Sequence, residues 1–130
     1  MNQLRLLLAA LLVAGCASAA PENAVKEHTL TLQPQQSTAV GSATLRFDRI
    51  EDSRCPPNVQ CVSAGKLSYR FTLSGGQAPE SFSLDSAAPA HLSSSLPGVR
   101  IILQNSEPPA VAAAGTPPTP HPVTLSVTLP

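Results

Sequence analysis

Apolar and polar residues alternate along six separate segments of this chain. A period of two places every second side chain on the same face of a β-strand, so each segment indicates a strand with one buried face. The apolar positions are Leu30 and Leu32; Leu45 and Phe47; Leu67, Tyr69, Phe71 and Leu73; Phe82 and Leu84; Val99, Ile101 and Leu103; and Val123, Leu125, Val127 and Leu129. We therefore expect an all-β chain, folded over residues 28–130 as a single small β-sandwich of about six or seven strands, either immunoglobulin-like or a partly open barrel.

Turn and loop signals separate these segments, and most of the fourteen prolines lie there. Gly75-Gly76 predicts a hairpin turn, and Pro97-Gly98 introduces the strand that contains Val99. Residues 86–96 are rich in Ser and Ala and predict a loop. Residues 107–122 contain six prolines and are too long for a hairpin. This Pro-rich loop predicts a mobile excursion with polyproline character, either a tolerated insertion or a docking segment for a partner with an extended groove.

The N-terminus has the three parts of a secretory signal. Arg5 is followed by an apolar run from Leu6 to Val13, which is about half as long as a membrane-spanning helix. Small residues then lead to Cys16. The sequence Val13-Ala14-Gly15-Cys16 resembles the lipobox of bacterial lipoproteins. The alternative is an ordinary signal peptide cleaved near residues 17–20, which are also small.

The lipobox resemblance implies how the protein is held. It makes residues 1–15 a signal peptide, Cys16 the lipidated first residue of the mature chain, and residues 16–27 the lipidated cysteine and a tether. In lipoproteins of Gram-negative bacteria an aspartate after the cysteine favours retention in the inner membrane. Because Ala17 stands there instead, the resemblance implies an anchor in the outer membrane, most simply on its periplasmic face.

The charge balance and the scattered histidines argue against several classes of function. Eight Lys and Arg face eight Asp and Glu, and no basic stripe occurs of the kind that binds nucleic acid. His28, His91 and His121 have no His or Cys neighbour at ligand spacing, so we predict no metal site and no cofactor. The sequence contains neither a Gly-x-Ser-x-Gly elbow nor a Gly-rich phosphate loop. We therefore expect that the protein is not an enzyme.

Cys55 and Cys61 remain as a pair once Cys16 is assigned to lipid. In an exported protein an even pair at short spacing predicts a disulfide, and two free thiols are the alternative. The surrounding residues Asp52-Ser53-Arg54-Cys55-Pro56, Val59-Gln60-Cys61 and Ala64-Gly65 resemble a motif of small uncharacterised bacterial lipoproteins with one all-β domain. The resemblance covers most of residues 43–130. Those proteins often carry an aromatic residue, usually Trp, before Ala-Gly, whereas this chain has Ser63. No activity is assigned to them, so the resemblance implies none.

The segment around the two cysteines is the candidate binding loop, with Asp52, Arg54, Asn58 and Gln60 as its polar residues. In the functional interpretation Arg54, Asn58 and Gln60 are exposed contacts on a rigid surface. In the structural interpretation Asp52 accepts hydrogen bonds from loop amides, and Arg54 pairs with a nearby carboxylate. Gly65 predicts a positive φ or a bulge where the next strand begins.

The sequence as a whole predicts a lipid-anchored envelope lipoprotein that acts as a non-catalytic binding or structural module. Its expected partners are the membrane, through the lipid on Cys16, and a protein of the envelope, but not nucleic acid. The alternative is an inhibitor of an exported hydrolase or protease, because a rigid loop suits insertion into a cleft. Metal binding in the periplasm is a less favoured alternative, and an enzyme is the least favoured class.

Overall fold

The structure is a computed structural model that describes residues 25–104 and 107–130. These residues form eight strands in two four-stranded antiparallel sheets, and they contain no helix. The strands are β1 (Lys26–Leu32), β2 (Ser37–Val40), β3 (Ala43–Asp52), β4 (Leu67–Ser74), β5 (Glu80–Asp85), β6 (Ala90–Leu92), β7 (Arg100–Leu103) and β8 (Val123–Leu129). The strand orders are β1-β8-β7-β6 and β2-β3-β4-β5. The predicted all-β fold and small β-sandwich are confirmed.

The inner faces of the two sheets form one core. Phe47 and Phe71 from one sheet and Ile101 and Leu125 from the other are completely buried. The rings of Phe47 and Phe71 stack with their centroids 5.1 Å apart, and Phe82 continues the stack beyond Phe71 at 5.6 Å. Burial of one large apolar side chain stabilises a fold by about 1.5–3 kcal/mol. All six alternating segments contribute buried residues to this core, which is why alternation alone identifies their inner faces.

The two shortest edge strands escape sequence analysis. The interpretation of residues 86–96 as loop is wrong at β6, and β2 falls outside the six alternating segments. β6 has only three residues and β2 has only one buried apolar side chain, Val40, so neither shows an alternating pattern, and pairing with β7 and β3 specifies them. No helix long and apolar enough to cross a membrane occurs within residues 25–104 and 107–130.

The first strand begins earlier than the predicted domain boundary at residue 28. Lys26 pairs with Leu129 and Glu27 with Thr128, so these two residues belong to β1 and not to a tether. Pairing with β8 decides this, since the exposed polar residues at the start of β1 carry no apolar alternation. The predicted signal peptide (residues 1–15), Cys16 and the tether up to residue 24 lie outside the described residues.

Because of the strand directions, the connections between strands lie at two opposite ends of the sandwich. Residues 53–66, 86–89 and 107–122 lie where β3, β5 and β7 end, and we call this the loop end. The β2–β3, β4–β5 and β6–β7 connections lie at the other end, where β1 begins. A seven-residue strand spans about 23 Å. The N-terminal segment therefore enters the domain a strand length away from the loop end.

A partly buried carboxylate ties the two sheets together at the end where β1 begins. Glu80 opens β5, and its oxygens accept hydrogen bonds from the hydroxyls of Ser93 at 2.7 Å and Ser95 at 3.0 Å. They also accept from the backbone N–H of Ser94 at 3.0 Å and lie 3.0 Å from Nε2 of His91. Burial by itself raises the pKa of Glu80, but the bonds from these three serines outweigh it and hold the pKa well below its usual range.

Replacing Glu80 by Gln tests this tie. We expect the free energy of unfolding at pH 7 to fall by about 2 kcal/mol, because an amide replaces one strong acceptor by a donor that faces other donors. Urea titration followed by circular dichroism measures the change. Glu107→Gln, at an exposed position, is the matched control and should leave stability unchanged. Equal effects of the two variants would contradict the assignment.

The same variant has a predicted pH dependence. Since the pKa of Glu80 is depressed in the folded state, its contribution is fully present above the pKa of an unfolded glutamate and is lost as the pH falls towards the folded value. The stability difference between the unmodified protein and Glu80→Gln should therefore shrink progressively below about pH 4. A difference that stays constant down to pH 2.5 would contradict this account.

Candidate functional site

The hairpin of β3 and β4 continues beyond the sheet into a loop closed by a disulfide. The backbone N–H of Ser53 donates to the carbonyl of Lys66 at 2.9 Å, and that of Cys55 donates to Ala64 at 3.1 Å. Cys55 and Cys61 form the predicted disulfide, with Cα atoms 5.9 Å apart. In the chain-entropy model a loop this short contributes about 2 kcal/mol. The two ends of the loop, residues 55–61, are thus covalently fixed on top of a hydrogen-bonded ladder.

Two residues in the left-handed region of φ give the loop its shape. Asn58 has φ 61° inside the disulfide ring, and Asn is among the side chains that tolerate this conformation. Gly65 has φ 66°, as the sequence predicts, at the point where the chain turns into β4. A Cβ atom on Gly65 would also collide with the carbonyl group of Ser53. Glycine is therefore required here for space as well as for conformation.

Asp52 and Arg54 brace the base of the loop. Nε and Nη2 of Arg54 donate to the two carboxylate oxygens of Asp52 at 2.9 and 2.7 Å, and the Arg54 backbone N–H donates to Oδ1 at 3.1 Å. The remaining terminal nitrogen, Nη1, donates to the carbonyl of Pro109 at 3.0 Å. The hydrogen bond from the Arg54 side chain is the main reason that the pKa of Asp52 is lowered, and the same bond raises the pKa of Arg54.

This geometry corrects one prediction about the binding loop. Arg54 is not an exposed contact: its side chain is 18% exposed and that of Asp52 10%, since each satisfies the other's charge. The structural interpretation of both residues is the one that the geometry supports. Asn58 and Gln60 do lie on the surface, at the outer part of the loop.

Two valines that sequence analysis missed lie beside these polar residues. Val62 is fully exposed, at 109% relative accessibility, and Val59 is exposed at 45%. With the exposed Pro57 they form what we call the apolar tip. The sequence did contain a signal for their exposure. Both valines lie inside the motif but outside every alternating segment, so neither belongs to a strand with a buried face.

The Pro-rich loop packs against this hairpin. Residues 107–122, all of them described, contain no strand, as predicted. In addition to the bond from Arg54 to Pro109, Oη of Tyr69 lies 2.9 Å from Nε2 of His121. Burial raises the pKa of this tyrosine. The expected excursion is therefore hydrogen-bonded to the domain on both sides of its central run of small residues.

A cleft of about 250 Å³ opens between the base of the loop and the two sheets. Leu67, Leu103, Pro89 and Pro108 supply its apolar walls, and Arg54 and Lys66 supply its cations. Both cations have carboxylate partners, because Nζ of Lys66 donates to Asp85 at 2.7 Å. Among the described residues that line the cleft, both cations are therefore compensated by a carboxylate.

The three histidines have separate surroundings. His28 lies in β1, and the ring of His91 stacks on Phe82 with centroids 3.8 Å apart. His121 contacts Tyr69 and the carbonyl of Thr119. In the part of the chain that the structure describes, no group of three His, Cys, Asp or Glu side chains is arranged to hold a metal ion.

Comparisons with protein-family models, with curated proteins and with solved structures found no match to this chain. The candidate site therefore rests on its own geometry, which is a covalently closed and braced loop with a small apolar tip and a polar rim.

Gly65→Ala tests the role of the turn that supports the loop. We expect a loss of several kcal/mol of unfolding free energy, because the new methyl group must displace the Ser53 backbone in addition to adopting a positive φ. Gly115→Ala is the matched control: its φ is 78°, but nothing lies within 4 Å of an added Cβ, so it should cost only about 1 kcal/mol. Thermal unfolding compares the two, and equal losses would contradict the steric argument.

Proposed function

We propose that this protein is a lipid-anchored lipoprotein of the bacterial envelope and a non-catalytic binding module that contacts a partner protein through the apolar tip. The observation that carries the proposal is the exposure of Val59 and Val62 on a loop held by a disulfide and by the Asp52–Arg54 pair. A loop that is already ordered loses little conformational entropy when it binds. Asn58 and Gln60 then supply the polar rim that interfaces typically have.

The anchor belongs to the same proposal. We infer that Cys16 is lipidated and that the protein sits on the outer membrane and faces the periplasm. Two or three acyl chains hold a protein stably, whereas one chain binds only marginally. Because β1 begins at the end opposite the loop end, the chain from the proposed anchor joins the domain at the end farther from the apolar tip. This position supports a role in contacting something other than the protein's own membrane.

Substitution of both valines by serine tests the apolar tip. We expect Val59→Ser with Val62→Ser to reduce partner binding at least tenfold, because about 1.4 kcal/mol is enough for that factor and burial of two valines contributes more. The measurement is the amount of partner retained from an envelope extract by the full chain in detergent.

Val25→Ser is the matched control, since Val25 is 65% exposed and adjoins the start of β1, away from the loop end. It should retain the partner fully. Unchanged retention by the double valine variant, with an unchanged unfolding transition, would contradict the assignment of the apolar tip.

Cys16→Ser tests the anchor. We expect this variant to lose incorporation of labelled palmitate and to appear in the soluble fraction after cell lysis, while the unmodified chain sediments with membranes. Ser18→Ala is the control and should still be acylated. Continued acylation and sedimentation of Cys16→Ser would refute lipidation at this residue.

A second candidate is an inhibitor of an exported hydrolase or protease. The favouring observation is shape: residues 57–66 are exposed throughout, and those up to Cys61 belong to the disulfide-closed loop beyond the sheet, which suits insertion into an active-site cleft. Assays of lysozyme and common proteases with the full chain separate the two candidates. Only an inhibitor lowers turnover, and Val59→Ser with Val62→Ser should then restore it.

A further inference from the structure

Residues 116–122 have the sequence Thr-Pro-Pro-Thr-Pro-His-Pro, in which every residue is a proline or precedes one. Proline fixes its own φ near −65°, and it biases the residue before it towards extended or polyproline conformations. Local chemistry therefore biases the segment towards extended or polyproline II geometry. It contains two Thr-Pro dipeptides three residues apart, Thr116-Pro117 and Thr119-Pro120.

The exposure of the segment repeats every three residues. Pro118 and His121 are partly buried, whereas Pro117, Thr119 and Pro120 are exposed, as are Thr116 and Pro122. A polyproline II helix has three residues per turn, so residues three apart share one edge. The edge that holds Pro118 and His121 faces the domain, and Pro117, Thr119 and Pro120 face outwards. Thr116 is exposed but borders the same cavity as Pro118.

A hydrogen-bonded histidine fixes the inward edge. Nδ1 of His121 donates to the carbonyl of Thr119 at 2.8 Å, since a carbonyl oxygen only accepts. In the neutral ring Nε2 is then the acceptor, and the hydroxyl of Tyr69 donates to it at 2.9 Å. Pro118 lies against the cavity that Asp52 and Arg54 line.

Both ends of the segment are also defined. Gly115, with φ 78°, precedes it, and Val123 continues it into β8, where it pairs with Leu32. The segment is thus ordered before any partner arrives. Little conformational entropy remains to be lost on binding.

We propose that the outward edges of residues 116–120, which we call the proline ridge, form a docking site for a protein domain with an aromatic-lined groove. Grooves of this kind recognise Pro-x-x-Pro segments by packing aromatic rings against dipeptides that end in proline. Pro117 and Pro120 have this spacing and are both exposed. No Lys, Arg, Asp or Glu lies between residues 116 and 122, so the contact is apolar and insensitive to salt.

Titration of isolated SH3 and WW domains with the full chain in detergent tests the proline ridge. Both kinds of domain recognise proline-rich segments through aromatic grooves. This chain has no tryptophan, so tryptophan fluorescence reports the groove alone. We expect saturable binding by at least one domain of the set, equal at low and high salt, and at least tenfold weaker for Pro117→Ala with Pro120→Ala.

Pro79→Ala with Pro97→Ala is the matched control, because both of these prolines are exposed elsewhere on the domain. It should bind as the unmodified chain does, and so should Val59→Ser with Val62→Ser, which separates the proline ridge from the apolar tip. Failure of every domain in the set to bind, binding abolished by salt, or equal loss in the two proline variants would overturn the proposal.

Discussion

The structure depends on the burial of one row of side chains between two sheets. Phe47, Phe71 and Phe82 form a stack on the inner face of one sheet, and Ile101 and Leu125 lie on the inner face of the other. Their burial determines which face of each strand points inwards and holds the two sheets together. The connections between strands therefore emerge at two defined ends of the sandwich.

Arg54 links the two elements that the loop end displays. Its bonds to Asp52 hold the base of the disulfide-closed loop, and its bond to the Pro109 carbonyl reaches the Pro-rich loop. Tyr69 makes a comparable link through His121. Arginine is common at recognition surfaces, but Arg54 here positions two neighbouring surfaces. Uncharged residues remain exposed on both of these surfaces.

The opposite end of the sandwich has a different design. There Glu80 gathers hydrogen bonds from three consecutive serines and lies against His91, so one carboxylate closes the gap between the sheets. These hydrogen bonds add to the apolar packing of Val40, Ala43 and Val99 at the same end. The end nearest the proposed anchor is thus tied internally, and the loop end holds the proposed contact surfaces.

Sequence alone predicts the fold class, six of the eight strands that the structure describes, the disulfide pair, a positive φ or a bulge at Gly65, and the extended character of residues 116–122. All of these follow from local causes: side-chain alternation, cysteine spacing and the restricted backbone of proline. Tertiary structure alone decided that β2 and β6 are strands, that Arg54 points inwards, and that Val59 and Val62 point out. Arg54 meets Pro109 55 positions further along the chain. No local sequence pattern predicts such a contact, because the two residues meet only when the two sheets pack together.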